Sequence, residues 1–277
     1  MKRLAVLGHP VSHSRSPAMQ TAALEALGLG AEWSYEAIDV APAEFADRVR
    51  TLPKEGFVGV NVTIPHKEAA LAIADQASDA AREIGAVNTL SFATGSIRAD
   101  NTDASGLLAA LPHSVEGGTA LVLGAGGSAR AAVWALAGQG ASVSVWNRTP
   151  ERADQLVRDL VGAGRGTAAE GRLTVVSAAQ AHARSFDLIV NCTAVGMRDE
   201  DPFEQLPLDP ERFDAKIVLV DLVYAGSESR LGHEARERSA TVIDGLEVLV
   251  RQGADSLRIW TGEEPPLDVM REAARAG

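Results

Sequence analysis

Thr119-Ala120-Leu121-Val122-Leu123-Gly124-Ala125-Gly126-Gly127-Ser128-Ala129 is the stretch that decides the architecture. Five residues of strand character run into a glycine turn, a helical pattern continues to about Gly138, and a second strand follows at Ser142–Trp146. A dinucleotide fingerprint needs that context of strand, G-x-G-x-x-A and helix. Gly124 permits the tight turn, Gly126 lets the backbone approach a pyrophosphate, and small Ala129 lets the helix pack closely on the strand. The helix N-terminus then turns free N–H groups and a partial positive charge toward the phosphates. A glycine-rich structural turn is the competing account of the glycines alone. The flanking elements favour the fingerprint.

The end of the second strand separates NAD from NADP. A carboxylate is expected about 20 residues past the glycines if the ribose hydroxyls of NAD are to be held. Asn147-Arg148-Thr149 stands there instead, with Arg152 one helical turn further on. A guanidinium can lie flat on adenine or fork onto a 2′-phosphate, and such a charged hydrogen bond is worth roughly 1.5–3 kcal/mol. The alternative is two solvated arginines at a helix start. NADP is the expected cofactor.

Working outward, strands alternate with helices on both sides. Strand character recurs at Leu4–Gly8, Trp33–Val40, Phe57–Val62, Ala86–Phe92 with Ser96–Ala99 around Thr94-Gly95, Leu173–Val176, Asp187–Val190, Ile217–Asp221 and Thr241–Ile243. Helical patterns open at Ser16-Pro17, Pro42, Lys67 and Asp103, and the chain after Ile243 reads as helix through Trp260 with a last helix past Pro265-Pro266. This alternation predicts an α/β fold with a mainly parallel sheet. Two domains are expected: residues 104–239 as a nucleotide domain, inserted into a discontinuous α/β domain made of 1–103 and 240–277. The 277 residues fit that count, with 46 % hydrophobic and 23 % charged side chains. A net charge of −11 disfavours nucleic acid and anionic membranes, which reward a basic face. The apolar run Leu4–Leu7 is too short for a secretory signal and no stretch reaches the ~20 apolar residues of a membrane span, so a cytoplasmic protein is expected. A single cysteine, Cys192, excludes an internal disulfide and a thiolate zinc cage.

Four polar clusters stand at predicted strand ends or helix starts: Ser12–Pro17, Asn61–Lys67, Ala86–Thr89 and Asp100–Asp103. Their hydroxyls, amides, ammonium and carboxylates suit a small polyhydroxylated carboxylic acid. Lys67 with Asp103 makes a general acid–base unit, since an ammonium can deliver a proton to an alkoxide and a guanidinium cannot. Only four of the 26 basic side chains are lysine, so a retained lysine has weight. Alone, Lys67 could be a solvated helix-start residue and Asp103 a helix N-cap. His9 and His13 lie four apart without a third ligand at metal spacing, and no metal is expected. His66 reads as structural, and Cys192 as a small residue near the cofactor edge.

Taken together, these motifs resemble the shikimate dehydrogenase family nearly end to end, including the tail Trp260-Thr261-Gly262 with Pro265-Pro266. The resemblance implies reversible, NADP-linked reduction of 3-dehydroshikimate to shikimate, on a substrate domain and a Rossmann-type NADP domain. It carries Lys67 and Asp103 over as the catalytic pair and Ser14, Ser16 and Thr63 as holders of the substrate carboxylate. Asn61, Asn88, Asp103 and Gln252 would bind ring hydroxyls, with Tyr224 close by. Gly124, Ala125, Gly126, Gly127, Ser128 and Ala129 would hold the pyrophosphate, and Asn147, Arg148, Thr149 and Arg152 the adenosine phosphate. Thr193, Ala194, Val195, Gly196, Met197, Leu222 and Gly245 would line the nicotinamide side. The chain departs from the family pattern at Ala104, where glycine is common, at Ser229-Arg230 in place of Thr-Pro, and at Glu247-Val248 in place of Gly-Met. Two other readings stay open: a quinate/shikimate dehydrogenase using NAD or NADP, and a cofactor-binding sensor without turnover, motivated by Glu247 and Ser229-Arg230. Both a monomer and a homodimer are compatible with the sequence.

Overall fold

A computed structural model describes residues 1–93, 95–163, 171–197, 200–224 and 228–276; Thr94 of the expected Thr94-Gly95 turn lies outside them. The chain divides into two compact units, Met1–Gly106 with Leu249–Gly277, and Leu107–Val248.

The first unit carries β1 (Lys2–Gly8), β2 (Trp33–Asp39), β3 (Phe57–Val62), β4 (Gln76–Ala77), β5 (Thr89–Ala93) and β6 (Ser96–Asp100), in the order β2-β1-β3-β5-β6-β4. β1 pairs in parallel with β2 and β3, whereas β5 runs antiparallel to β3 and β6. The connection from β5 to β6 is too short for a crossover, so those two strands can only form a hairpin. Phe45, Val49 and Leu52 pack against Leu7, Val60 and Leu90 beneath the sheet. The helical pattern that opens at Pro42 is not one helix: a 3₁₀ turn Pro42–Glu44, an α-helix Phe45–Thr51 and a second 3₁₀ turn Leu52–Glu55 follow one another. Pro53 sits in the last of these; Leu52 before it is still α (φ −52°, ψ −42°), but Pro53 has no N–H with which to carry the α-helical ladder further.

The tail helix closes this unit through contacts that demand glycine. A Cβ on Gly59 would stand 2.1 Å from Trp260 Nε1, which donates to the Leu90 carbonyl at 3.1 Å. One on Gly106 would stand 2.7 Å from the Gln252 backbone nitrogen. The first clash would push Trp260 off β3 and the second would push Gln252 away from helix Asp103–Ala110.

The second unit carries β7 (Thr119–Leu123), β8 (Ser142–Trp146), β9 (Leu173–Val175), β10 (Leu188–Asn191), β11 (Val218–Asp221) and β12 (Thr241–Asp244). Their order is β9-β8-β7-β10-β11-β12 and every pairing is parallel. Alternate residues feed two cores. Ala120 and Val122 face helices Gly127–Gly138 and Pro150–Gly162, while Leu121 and Leu123 face Ala181, Leu231 and Ala235. Burial on both faces is why these strands read as unbroken apolar runs. The division falls at 106/107 and 248/249 rather than 103/104 and 239/240, because β12 pairs with β11 (Val218↔Thr241 to Asp221↔Asp244) and so belongs to this sheet.

Strand order reverses between β7 and β10. In doubly wound sheets the crevice outside the carboxyl ends of such strands takes the ligand. The glycine turn at 124–126 and the segment 192–197 leave the sheet there.

Candidate active site

Lys67 is the first residue of helix Lys67–Ala72, reached from β3 by the turn 63–66, and its carbonyl accepts from Val87 N–H at 2.8 Å. The residue before it holds this turn in place. His66 is buried, stacks on Phe45 with centroids 4.3 Å apart, and its Nε2–H donates to the Val40 carbonyl at 2.8 Å. Burial pushes the His66 pKa down, so the ring is held neutral as a structural element.

Lys67 Nζ reaches Asp103 Oδ2 at 2.5 Å, with only 11 % and 15 % of the two side chains exposed. Asp103 opens helix Asp103–Ala110, but it does not cap it. Asn101 does: its Oδ1 accepts from the N–H groups of Asp103 (3.0 Å) and Ala104 (3.3 Å), while its Nδ2 donates to the Ala86 carbonyl at 2.9 Å. The Asp103 carboxylate is thereby left for Lys67 and for Asn88, whose Nδ2 donates to Oδ1 at 2.9 Å. A carboxylate held from two sides orients the ammonium beside it and keeps it within reach of a reacting oxygen.

Around this pair the structure gathers Asn61, Asn88 and Gln252, all less than 9 % exposed. Asn88 Nδ2 also donates to Gln252 Oε1 at 2.9 Å, and Asn61 Oδ1 accepts from Tyr35 Oη at 2.7 Å. Ser14, Ser16 and Thr63 come from the carboxyl ends of neighbouring parallel strands: Ser14 and Ser16 follow β1 and Thr63 follows β3. Ser14 Oγ accepts from Ser16 N–H at 3.3 Å, and a Cβ on Gly8 would stand 2.5 Å from Thr63 Cγ2. Helix Ser16–Ala26 has no side-chain cap and no acidic residue in its first turn. Pro17 has no N–H and the Ser16 N–H is taken by Ser14 Oγ, so what this helix start offers a carboxylate is its positive dipole end together with the Ser14 and Ser16 hydroxyls.

In the second unit Gly124 has φ +110°, and a Cβ there would lie 3.2 Å from the Cys192 carbonyl oxygen, so the turn itself requires glycine. Gly126 does not: it has φ −92°, ψ −173°, and a Cβ would meet nothing within 4 Å. The missing side chain at Gly126 clears space outside the protein, where a pyrophosphate would approach helix Gly127–Gly138. Ala129 is fully buried against that core. Asn147 Nδ2 donates to the Thr149 carbonyl at 2.8 Å. Arg148 and Arg152 are exposed, and no carboxylate among the described residues pairs with either. These features fit a phosphorylated dinucleotide.

Segments 192–197 and 222–224 are tied together from below. Asn191 Oδ1 accepts from Thr193 N–H (3.1 Å) and Oγ1 (2.7 Å), and its Nδ2 donates to the Val195 carbonyl at 3.2 Å and to Asp221 Oδ1 at 2.9 Å. Asp221, 2 % exposed, also accepts from Ser229 Oγ at 2.5 Å. Burial raises the Asp221 pKa, opposed by the Ser229, Val223 and Asn191 hydrogen bonds. Met197 is 52 % exposed and follows Gly196 at φ +102°. Tyr224 lies in this unit just after Leu222, whose N–H donates to the Asn191 carbonyl at 3.1 Å. Gly245 has a packing reason for being glycine: a Cβ would stand 2.6 Å from the Leu222 carbonyl oxygen.

Comparison with known proteins decides the family. The profile of the shikimate dehydrogenase substrate binding domain matches residues 6–90, that of shikimate / quinate 5-dehydrogenase 108–222, and that of the shikimate 5′-dehydrogenase C-terminal domain 245–275. A shikimate dehydrogenase (NADP(+)) of Thermus thermophilus is 46 % identical over 277 residues, covering 99 % of this chain and 98 % of its own. One from Methanothermobacter thermautotrophicus is 42 % identical over 273 residues, covering 98 % and 94 %. The crystal structure of the Aquifex aeolicus shikimate dehydrogenase superposes with TM-score 0.88 at 35 % identity, over 99 % of this chain and 98 % of that one. That of the Thermus thermophilus shikimate 5-dehydrogenase in complex with NADP(H) and shikimate gives 0.85 at 44 % identity, over 100 % and 99 %. The chain belongs to the shikimate dehydrogenase family.

For a shikimate dehydrogenase family member, several residues around the pair carried little signal in the sequence. Tyr35 and Ser256 complete the polar cluster with Thr89 and Thr102, which already stood in the motifs Ala86–Thr89 and Asp100–Asp103, and Asn191 with Asp221 anchors the segments after β10 and β11. Asn191 and Asp221 were findable as polar residues ending apolar strands in register. Ser256 had only its offset of four from Gln252, which puts both on one helix face.

Proposed function

We propose that this member of the shikimate dehydrogenase family catalyses the reversible, NADP-linked reduction of 3-dehydroshikimate to shikimate. The observation that carries it is the mostly buried Lys67–Asp103 pair, with Asp103 freed from capping by Asn101. The cofactor supplies the hydride when bound. Lys67 donates its Nζ proton to the ring carbonyl oxygen as charge develops there, and takes it back in the oxidation direction. Asp103, held by Asn88, orients the ammonium and stabilises it. Ser14, Ser16, Thr63 and the uncapped start of helix Ser16–Ala26 receive the substrate carboxylate, while Asn61, Asn88 and Gln252 face the hydroxyl side of the ring. Arg148 and Arg152 take the 2′-phosphate and Gly124–Ala129 the pyrophosphate.

Initial rates of shikimate and quinate oxidation, each with NADP and with NAD, test this. The expected result is turnover of shikimate with NADP far above the other three pairs. No turnover of shikimate with NADP refutes the assignment, and equal rates on quinate would widen it to both acids.

A further inference from the structure

Four buried polar side chains beside the catalytic pair close a ring. Asn88 Nδ2 donates to Thr102 Oγ1 at 2.8 Å, and Thr102 Oγ1 lies 3.1 Å from Ser256 Oγ. Ser256 Oγ lies 2.8 Å from Thr89 Oγ1, which donates back to Asn88 Oδ1 at 3.1 Å. Exposure is 0 % for Thr89 and Ser256, 2 % for Asn88 and 4 % for Thr102, so each group finds its partners within the protein, in the ring and among Asn61, Asp103 and Gln252 around it.

The ring has one sense. The Asn88 amide cannot be flipped, because Thr102 N–H donates to Oδ1 at 2.8 Å and the Asp103 carboxylate accepts from Nδ2. Thr89 gives its proton to Asn88 Oδ1, so its 2.8 Å contact with Ser256 takes the Ser256 proton, which also faces the Gln252 carbonyl at 3.1 Å and is shared between the two acceptors. The contact between Ser256 and Thr102 then needs the Thr102 proton. The Thr89 and Thr102 hydroxyls each give one hydrogen bond, Ser256 divides its proton between Thr89 and the Gln252 carbonyl, and all three take at least one. The remaining lone pair of Ser256 Oγ accepts from Asn61 Nδ2 at 2.9 Å. Hydrogen bonds aligned head to tail in this way strengthen one another.

We propose that Ser256 is a positioning residue for the reaction. By closing the ring it fixes the Asn88 carboxamide, whose N–H holds Asp103 Oδ1 and leaves Asp103 Oδ2 to Lys67. This rests on the Lys67–Asp103 assignment under Proposed function. Gln252 Oε1, one turn earlier on the same helix, lies 2.9 Å from the same Asn88 nitrogen, whose two hydrogens serve three acceptors, Asp103 Oδ1, Thr102 Oγ1 and Gln252 Oε1, so one hydrogen is shared.

The test compares Ser256→Ala, Thr89→Val and the double variant, with Lys67→Met as reference. The readouts are kcat and KM for shikimate oxidation, and solvent exchange of the Asn88 side-chain amide protons by NMR. Either single change should lower kcat about tenfold with KM for the cofactor unmoved, and the double should be no slower than the worse single. A ring opened once cannot be opened again, whereas independent packing losses multiply. Thr89→Val matches threonine in shape, so it opens the ring without a cavity if Ser256→Ala does not fold. The Asn88 amide protons should be protected in the wild type and in Lys67→Met, and exchange fast once the ring is open. Fast exchange with kcat within twofold of wild type overturns the positioning role, as do multiplicative losses. Wild-type turnover in Lys67→Met removes the assignment on which the proposal rests, while Asn88 protection still reports whether the ring exists.

Discussion

Replacing Lys67 separates the two roles proposed for the ammonium, neutralising Asp103 and delivering a proton. Lys67→Met keeps the bulk and removes both. Asp103 Oδ2 loses its partner at 2.5 Å, and the carboxylate keeps only the Asn88 amide and a side chain 15 % exposed. Breaking a buried pair from one side costs about 3–5 kcal/mol, and the residual exposure puts this site near the lower end. For a chain of this size that corresponds to a fall in Tm of roughly 2–4 °C per kcal/mol, so near 10 °C, and the variant stays folded at 25 °C. The loss of general acid catalysis adds about 10²–10⁴ in kcat, or ~3–5 kcal/mol of barrier. Lys67→Arg splits the two effects: its charge still faces Asp103, but a guanidinium does not give up its proton. Stability should therefore return most of the way while kcat stays about as low as in Lys67→Met. Thermal unfolding and stopped-flow shikimate oxidation, with cofactor Kd as control, read both quantities. Lys67→Arg turning over within about threefold of wild type would refute the proton-transfer role and leave Lys67 an electrostatic residue.

Three further outcomes follow from the second unit. Arg148→Asp should lower kcat/KM with NADP by about 10–100-fold while leaving NAD nearly unchanged, the size of a lost charged hydrogen bond, and equal losses with both cofactors would count against a phosphate contact. Gly124→Ala should cost about 1–3 kcal/mol of stability because φ is +110° and Cys192 O is 3.2 Å from the new Cβ, whereas Gly126→Ala should leave Tm unmoved and raise the cofactor Kd. Chemical denaturation and cofactor titration of the two variants distinguish fold glycine from ligand glycine. Burial raises the pKa of Asp221, so between the ordinary carboxylate value and the raised folded one the native state holds a proton the unfolded chain has lost. That contribution to stability is complete below the ordinary value and falls as pH climbs through the window. Asp221→Asn should flatten the trend, and parallel urea midpoints against pH for the two proteins would show the reasoning wrong.

What could be read in advance was whatever is written in local chemistry. The β7–glycine–helix–β8 unit stands where its residues put it, because strand, turn and helix each follow from neighbours in sequence. Lys67 and Asp103 were readable as candidates, but their meeting at 2.5 Å depends on β3, β5 and β6 lying side by side. Asp100-Asn101-Thr102-Asp103 offers several good N-caps in a row, and propensity cannot choose among them. The fold chooses Asn101, because its Nδ2 also reaches the Ala86 carbonyl. Ser256 is a mid-helix serine with no local mark, and its importance arises only when helix Gly245–Thr261 lands on Gly59 and Gly106. The joint near residue 240 was misplaced by one short strand. Nothing in composition changes at 248, where a continuous helix carries the chain from one unit to the other.

The departures from the family pattern have local accounts that leave the proposed Lys67–Asp103 pair alone. Ser229 supplies the same hydroxyl chemistry as threonine: its Oγ accepts from Gly232 N–H at 2.9 Å as the N-cap of helix Arg230–Glu237 and donates to Asp221. Arg230 gives up the fixed φ of a proline at the first helical position, and its Nη2 instead reaches Asp201 Oδ2 at 2.8 Å. Ala104 is 3 % exposed in the first turn of helix Asp103–Ala110, where alanine is about 1 kcal/mol better than glycine, and Asn101 takes its N–H. Glu247 stands in the first turn of helix Gly245–Thr261, its N–H donating to Asp244 Oδ1 at 2.9 Å, where the helix dipole favours a negative charge. A chain that had abandoned turnover would be free to lose Lys67, Asp103 or the residues that hold them. Here the substitutions fall on helix starts with replacement hydrogen bonds or better propensity, while the Lys67–Asp103–Asn88 linkage and the ring behind it are fully paired. That pattern weighs against a sensor and for an enzyme.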